Sequence, residues 1–150
     1  MRFGSAVHAV FECIEWWNDK AKAKVEGLRE SETEAVEVVE KCLKTEEIAA
    51  LFQNGENEAV VWRERAFELV TEGEICSGIF DRVVVRDGRA EIIDFKTDQV
   101  RSKADITEAV ERHREQMEWY RRVLIQLTDL PETRITCRLL FTHPRRVVTL

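Results

Sequence analysis

The chain has 150 residues, a formal net charge of −6, and hydrophobic and charged fractions of 44% and 35%. Such a length and composition fit a single domain (residues 1–150) with a self-sufficient core. They exclude wholesale disorder and, because the apolar runs are only a few residues long, a membrane-spanning helix. The acidity argues against holding nucleic acid by bulk charge alone, but leaves room for acidic groups that bind a metal.

The charge is unevenly spread. Residues 1–58 are net −6, residues 59–100 net −3, and residues 101–150 net +3. Cys13, Cys42, Cys76 and Cys137 are scattered, with no C-x2-C pair, which argues against a zinc ribbon and for reduced core thiols. The first residues lack the apolar run and small-residue cleavage site of a secretion signal, so a cytoplasmic protein is expected.

Taken in chain order, residues 4–26 read as one long helix, with Val7, Val10, Phe11, Ile14 and Trp17 as its apolar stripe. Ser31-Glu32-Thr33-Glu34 has the pattern of a capping box and opens a helix through about Leu43. A shorter helix over about 46–52 ends near Asn54-Gly55. Three strands follow, at about 60–69, 75–86 and 90–95, turning at Glu72-Gly73 and Asp87-Gly88. Asp-Gly is a strong hairpin signal, because a type I′ turn needs positive φ at both central positions. The helical period returns over about 105–127, and two further strands are expected at 135–141 and 147–150. The order ααα-βββ-α-ββ implies an α+β domain with a mixed sheet.

Packing does not explain the middle hairpin. Asp81 interrupts an apolar strand, and pairing across Asp87-Gly88 places it opposite Asp94. Lys96, two residues on from Asp94, shares that face. Like charges directly opposite destabilise a sheet, and a divalent cation relieves them. Oxygen ligands suit Mg²⁺ or Mn²⁺, which lower the pKa of a bound water and stabilise charge on a phosphate. Lys96 is then placed to orient or activate that water. Asp94 and Lys96 by themselves also read as a surface salt bridge. His8, between Val7 and Ala9, reads on its own as a core histidine.

Asp81 and Asp94-Phe95-Lys96, thirteen residues apart, resemble the D…D-x-K core of the PD-(D/E)XK nuclease superfamily. The nearer resemblance is to the RecB/AddA-type nuclease domain that ends many helicase–nuclease chains. Four more stretches resemble that group in order: Gly4-Ser5-Ala6-Val7-His8, Glu64-Arg65-Ala66-Phe67, Gly78-Ile79-Phe80-Asp81-Arg82 and Gln116-Met117-Glu118-Trp119-Tyr120. The resemblance implies a restriction-endonuclease-like core and a metal-dependent DNA nuclease of the repair and recombination kind. His8, Asp81, Asp94 and the backbone carbonyl of Phe95 would hold Mg²⁺ or Mn²⁺, and Lys96 would be the catalytic lysine. Gln116 and Tyr120, one turn apart on a helix, would position DNA, although their spacing equally fits helix packing. Glu12 is one turn from His8 and is placed to buttress it or to approach the metal. Glu64 is either an arginine's partner or a group behind the site, and Arg82 joins the candidates through its motif. Related nucleases carry an iron–sulfur cluster on a close C-terminal group of cysteines. Cys137 stands alone there, so no cluster is expected.

Arg112, Arg114, Arg121 and Arg122 on the late helix, followed by Arg134, Arg138, Arg145 and Arg146, form a solvated face or a phosphate track, with Trp119 or Trp62 for base stacking. DNA, single-stranded or at strand ends, is the expected partner, together with a helicase motor in the same or a partner chain. The alternative is a non-catalytic binding or docking module on the same fold.

Overall fold

The computed structural model describes residues 3–150. Four helices come first: α1 (Phe3–Glu12), α2 (Asp19–Glu26), α3 (Thr33–Leu43) and the single turn α4 (Glu46–Ala49), which runs on as a 3-10 turn over Ala50–Phe52. Strands β1 (Val60–Thr71), β2 (Glu74–Arg86) and β3 (Arg89–Lys96) form a meander. The long helix α5 (Lys103–Thr128) then leads to β4 (Ile135–Phe141) and β5 (Arg146–Thr149). The five strands lie in sequence order in one mixed sheet. Only β3 and β4 are parallel, as the α5 crossover requires. Among the described residues no helix is long and apolar enough to cross a membrane.

Each face of the sheet carries its own core. On one side α1, α2 and α3 pack Val7, Val10, Phe11, Val25, Val36 and Val39 into one core with Ile93, Phe95 and Leu140. On the other, α5 packs Met117, Tyr120 and Leu124 onto Phe80, Val83, Ile92 and Leu139. Cys42 lies in the first core and Cys137 in the second.

The single helix expected over 4–26 is two. Side-chain chemistry breaks it between Glu12 and Asp19. The Asn18 side chain accepts the Ala21 N–H at 3.0 Å and caps α2. The Trp17 N–H goes to the Phe52 carbonyl at 2.8 Å. The carbonyls of Ile14 and Glu15 are taken by Arg82 Nη1 and Nη2, at 2.7 and 2.5 Å. The capping box expected at Ser31 does not form either. Glu32 takes the cap position, while the Ser31 and Thr33 hydroxyls donate to carbonyls of the preceding turn. A reciprocal box does form at α5, between Ser102 and Asp105.

Both tight turns have positive φ at their two central residues, which suits Asp87, Gly88 and Gly73 but not Glu72. Asp87 and Gly88 have φ of 53° and 70°, and Glu72 and Gly73 have 53° and 78°. The Asp87-Gly88 turn sets the β2–β3 register, which runs from Arg86 opposite Arg89 to Arg82 opposite Ile93. There the ladder stops. Strand β2 stays with β1, while β3 continues with β4 alone to Lys96 opposite Phe141.

The β1–β2 ladder has its own irregularity at the same level. It pairs Arg63 with Arg82 and Arg65 with Phe80, but skips Glu64 and Asp81 between them. Glu64 has φ of +45°. Trp62 and Phe67 both pack on the α5 side, as do Phe80 and Val83. Strict alternation would put the members of each pair on opposite faces. The pleat therefore slips in both strands at Glu64 and Asp81, with no residue gained by either.

Arg82 is 1% exposed. Its guanidinium lies 4.3 Å from the centre of the Phe52 ring and 5.5 Å from that of Trp16. It fastens the α1–α2 connection to the sheet. Arg82→Ala strips two carbonyls of their donor and leaves a cavity under Phe52. Urea unfolding should show a loss of roughly 2–4 kcal/mol with an unchanged m-value.

Candidate active site

The place where β2 and β3 part is held open by a side chain. Asp81 Oδ2 accepts the Phe95 backbone N–H at 2.9 Å, so the carboxylate takes up a strand N–H just past the end of the ladder. The same oxygen meets His8 Nε2 at 3.1 Å. His8 Nδ1 donates to the Gly4 carbonyl at 2.8 Å, which turns Nε2 toward the sheet. The His8 ring stands edge-on to Phe95, 5.9 Å between centres, and Phe95 stacks on Phe11 at 4.1 Å. Phe95 thus sets both His8 and Asp81, one through its ring and one through its backbone.

Asp94 is 5% exposed. Its Oδ2 lies 2.6 Å from Lys96 Nζ. Burial first, and then the charge of Asp81, push the Asp94 carboxyl up to about 6 against the pull of Lys96. The hydrogen bond to Asp81 raises His8 to about 9, with burial opposing. Lys96 Nζ also donates to Gln116 Oε1 at 3.0 Å, and Gln116 Nε2 donates to the Tyr120 hydroxyl at 3.3 Å. A polar chain therefore runs Asp94–Lys96–Gln116–Tyr120 from the sheet into α5. Tyr120 is buried against Phe67, Phe80 and Trp119, and burial lifts its hydroxyl to about 12.

His8, Asp81, Asp94, Phe95, Lys96, Gln116 and Tyr120 are thus brought to one spot. Glu12 and Glu64 join them along an open cleft of about 560 Å³, lined also by Gly4, Ser5 and Ala9. Glu64 Oε1 is buried without a partner among the described residues. Burial and Asp81 push the Glu64 carboxyl up to about 7, with His8 opposing. No arginine among the described residues pairs with Glu64, so of its two sequence readings the geometry favours the one at the site. Arg82 departs from expectation. Its side chain runs into the core under α1 and α2 and holds carbonyls there. The slip in the pleat turns Asp81 into the gap between β2 and β3, so the two neighbours diverge.

The expected phosphate track is neutralised in part, with Arg138 on Glu91 and three arginines of α5 on nearby carboxylates, while Arg122, Arg134, Arg145 and Arg146 form no salt bridge among the described residues. Arg112 pairs with Asp98, Arg114 with Glu111 and Arg121 with Glu118. Trp119 is half-buried over Phe67.

Among the described residues, no three His, Cys, Asp or Glu side chains are already gathered as ligands are around an ion. The candidate ligands are engaged with resident cations, Asp81 with His8 and Asp94 with Lys96. The donor set nevertheless fits a hard divalent cation: two carboxylates that repel each other, one imidazole and a backbone carbonyl. Binding would displace the proton that His8 shares with Asp81.

Two groups escape a reading of the sequence. Thr142 satisfies the Lys96 carbonyl, through its N–H at 2.9 Å and its hydroxyl at 3.3 Å. Only the parallel β3–β4 pairing brings it there, and no motif marks it. Gly4 lets α1 come close to the strand end, since a Cβ there would lie 3.1 Å from the Thr97 hydroxyl. Its place in the G-x-x-x-H stretch was the available signal.

A profile of the PD-(D/E)XK nuclease superfamily matches residues 1–148. The chain belongs to that superfamily. It is similar to two bacterial proteins, both subunits of an ATP-dependent helicase/nuclease. The one from Enterococcus faecalis (strain ATCC 700802 / V583) is 27% identical over 150 residues, covering 83% of this chain and 12% of that protein. The one from Limosilactobacillus fermentum (strain NBRC 3956 / LMG 18251) is 33% identical over 79 residues, covering 51% of this chain and 6% of that protein. The chain therefore spans a small part of these relatives' length.

The loop after Lys96 is clamped from both sides. Asp98 Oδ2 receives His113 Nε2 and Arg112 Nη2, both at 3.1 Å, and His143 Nδ1 meets the Val100 carbonyl at 2.8 Å. Partial burial would raise the Asp98 carboxyl, but the bonds from His113 and Arg112 outweigh it and hold the carboxyl below its ordinary value. A carboxyl lowered on folding stabilises above its unfolded pKa, and that stability fades as pH falls through the folded value. Asp98→Asn should therefore cost about 1 kcal/mol at pH 7. In thermal melts from pH 7 downward, the gap to wild type should narrow below about pH 4.

Proposed function

We propose that the chain is a Mg²⁺- or Mn²⁺-dependent deoxyribonuclease domain spanning residues 1–150, which hydrolyses phosphodiester bonds without a covalent enzyme intermediate. The observation that carries this reading is Lys96 Nζ, fixed between the buried Asp94 at 2.6 Å and Gln116 at 3.0 Å, beside Asp81. A lone ammonium on a strand is mobile. One held by a carboxylate and an amide is pre-oriented for water and phosphate.

His8, Asp81, Asp94 and the Phe95 carbonyl would hold the cation. When bound, such a cation lowers the pKa of water and offsets charge on the scissile phosphate. Lys96 orients the attacking water and supports the developing charge. Gln116 holds Lys96 at the right height above β3, and Tyr120 fixes Gln116 from within the core. Gln116 and Tyr120 therefore act on the lysine as much as on DNA. We read the activity as exonucleolytic, on strand ends in DNA repair or recombination; the similarity to ATP-dependent helicase/nuclease subunits supports a motor in the same or a partner chain feeding the strand.

A DNA-degradation assay with Mg²⁺, Mn²⁺ or EDTA tests the reading. Cleavage should need the metal and fall roughly 10²–10⁴-fold in Lys96→Ala and Asp94→Ala. Gln116→Leu should lower kcat more than it raises KM. Cleavage in EDTA, or full activity of Lys96→Ala, would overturn the mechanism. Binding of DNA without cleavage, with metal present, would mark a non-catalytic module.

A further inference from the structure

A second cavity, of about 540 Å³, opens where β3 ends. Its apolar lining is Phe3 and Val38. Its rim carries Lys41, His143, Arg145 and Gln99, with Glu34 as the single acidic side chain. Neither Lys41 nor Arg145 forms a salt bridge with a described residue. His143 Nδ1 is spent on the Val100 carbonyl, and its Nε2 has no hydrogen-bond partner among the described residues.

The cavity is built onto the elements of the nuclease site. Phe3 and Gly4 are consecutive: Phe3 walls this cavity and Gly4 walls the cleft of His8. Thr142 lines the cavity and holds the Lys96 carbonyl. Gln99 is three residues from Lys96, at most about 10 Å of extended chain. The charges of the two openings are opposed. The cleft beside His8 carries Glu12 and Glu64, which repel a phosphodiester backbone, whereas the second cavity carries Lys41 and Arg145, which attract one.

We propose that this second cavity is a nucleotide subsite for the single DNA strand being cut. It would take the nucleotide next to the scissile phosphate, its base against Phe3 and Val38 and its phosphate on Lys41, Arg145 and His143. An unstacked base on an aromatic side chain, with cations tracking the backbone, is how single strands are held without sequence preference. The proposal rests on the nuclease reading for its orientation, and gives the strand a direction: away from the acidic cleft and across the N-terminal turn of α1.

The test uses the whole chain in two arms. In the first, ¹⁵N-labelled protein in EDTA is titrated to millimolar with a thymidine dinucleotide, with inorganic phosphate, and with a short duplex. The dinucleotide should shift the amides of Val38, Gln99 and Arg145, and Lys41→Glu/Arg145→Glu should abolish the shifts. Absence of shifts there at millimolar dinucleotide overturns the proposal. Equal shifts from phosphate alone overturn the base contact, and equal shifts from the duplex overturn the single-strand assignment.

In the second arm, KM for single-stranded DNA should rise roughly tenfold in Phe3→Ala and in the double variant, with kcat little changed. Hydrolysis of bis(p-nitrophenyl) phosphate, which carries no nucleoside, should match wild type. Unchanged KM for DNA overturns the subsite while leaving the nuclease reading intact. Dinucleotide shifts in a protein that cleaves nothing would keep the subsite and overturn the nuclease reading.

Discussion

The bond from the Phe95 backbone N–H to the Asp81 carboxylate decides the shape of the site. A regular hairpin would have carried the antiparallel β2–β3 ladder on past Arg82 and Ile93. With one strand N–H given to a side chain, β3 is free to follow β4, and β2 leaves with β1. The gap between them is where His8 enters from α1 and Lys96 reaches across to α5. An Asp in the middle of a strand costs stability unless its oxygens are partnered. Here a backbone donor and an imidazole partner the same oxygen.

The electrostatics follow from that gap. Asp94 is buried beside Asp81, so its carboxyl is pushed up even with Lys96 attached. Glu64 is pushed up for the same two reasons. Four carboxylates, of Glu12, Glu64, Asp81 and Asp94, face one imidazole and one ammonium. Such an excess holds a cation well and an anionic strand poorly, which is why the basic side of the site matters. In the subsite proposed above, that side would come from α3 and the β4–β5 turn, through Lys41 and Arg145, because the arginines of α5 are mostly spent on carboxylates close by.

Two packed helical layers make this geometry stiff. Arg82 anchors the α1–α2 connection by two carbonyls and an aromatic face, and α1 in turn sets His8. On the other face Tyr120 is locked among Phe67, Phe80 and Trp119, and from there it steadies Gln116 and Lys96. Side chains held from both sides have little orientational freedom left to lose when a ligand arrives.

Much of this was legible in the residues alone. The Asp87-Gly88 turn determines the β2–β3 register by φ preference as far as Arg82 opposite Ile93, which brings Asp81 toward β3; the expected Asp81–Asp94 pair does not form, because Asp81 takes the Phe95 N–H instead. The periodicity of α3 and α5, and the strand at Ile135–Phe141, follow from apolar spacing. Tertiary structure decided the rest. The break after Glu12 depends on Arg82, 68 residues from Ile14, taking two carbonyls that a continuous helix would have used. The same arginine parts from Asp81 because the pleat slips at Glu64 and Asp81, and a backbone slip of that kind has no side-chain periodicity to announce it. Thr142 meets Lys96, and Arg145 comes to the cavity of Phe3, only once α5 has returned the chain to lay β4 beside β3. Local preference acts over a few bonds and was written in the sequence. Contacts between distant segments depend on which surfaces bury each other, and only the folded chain settles that.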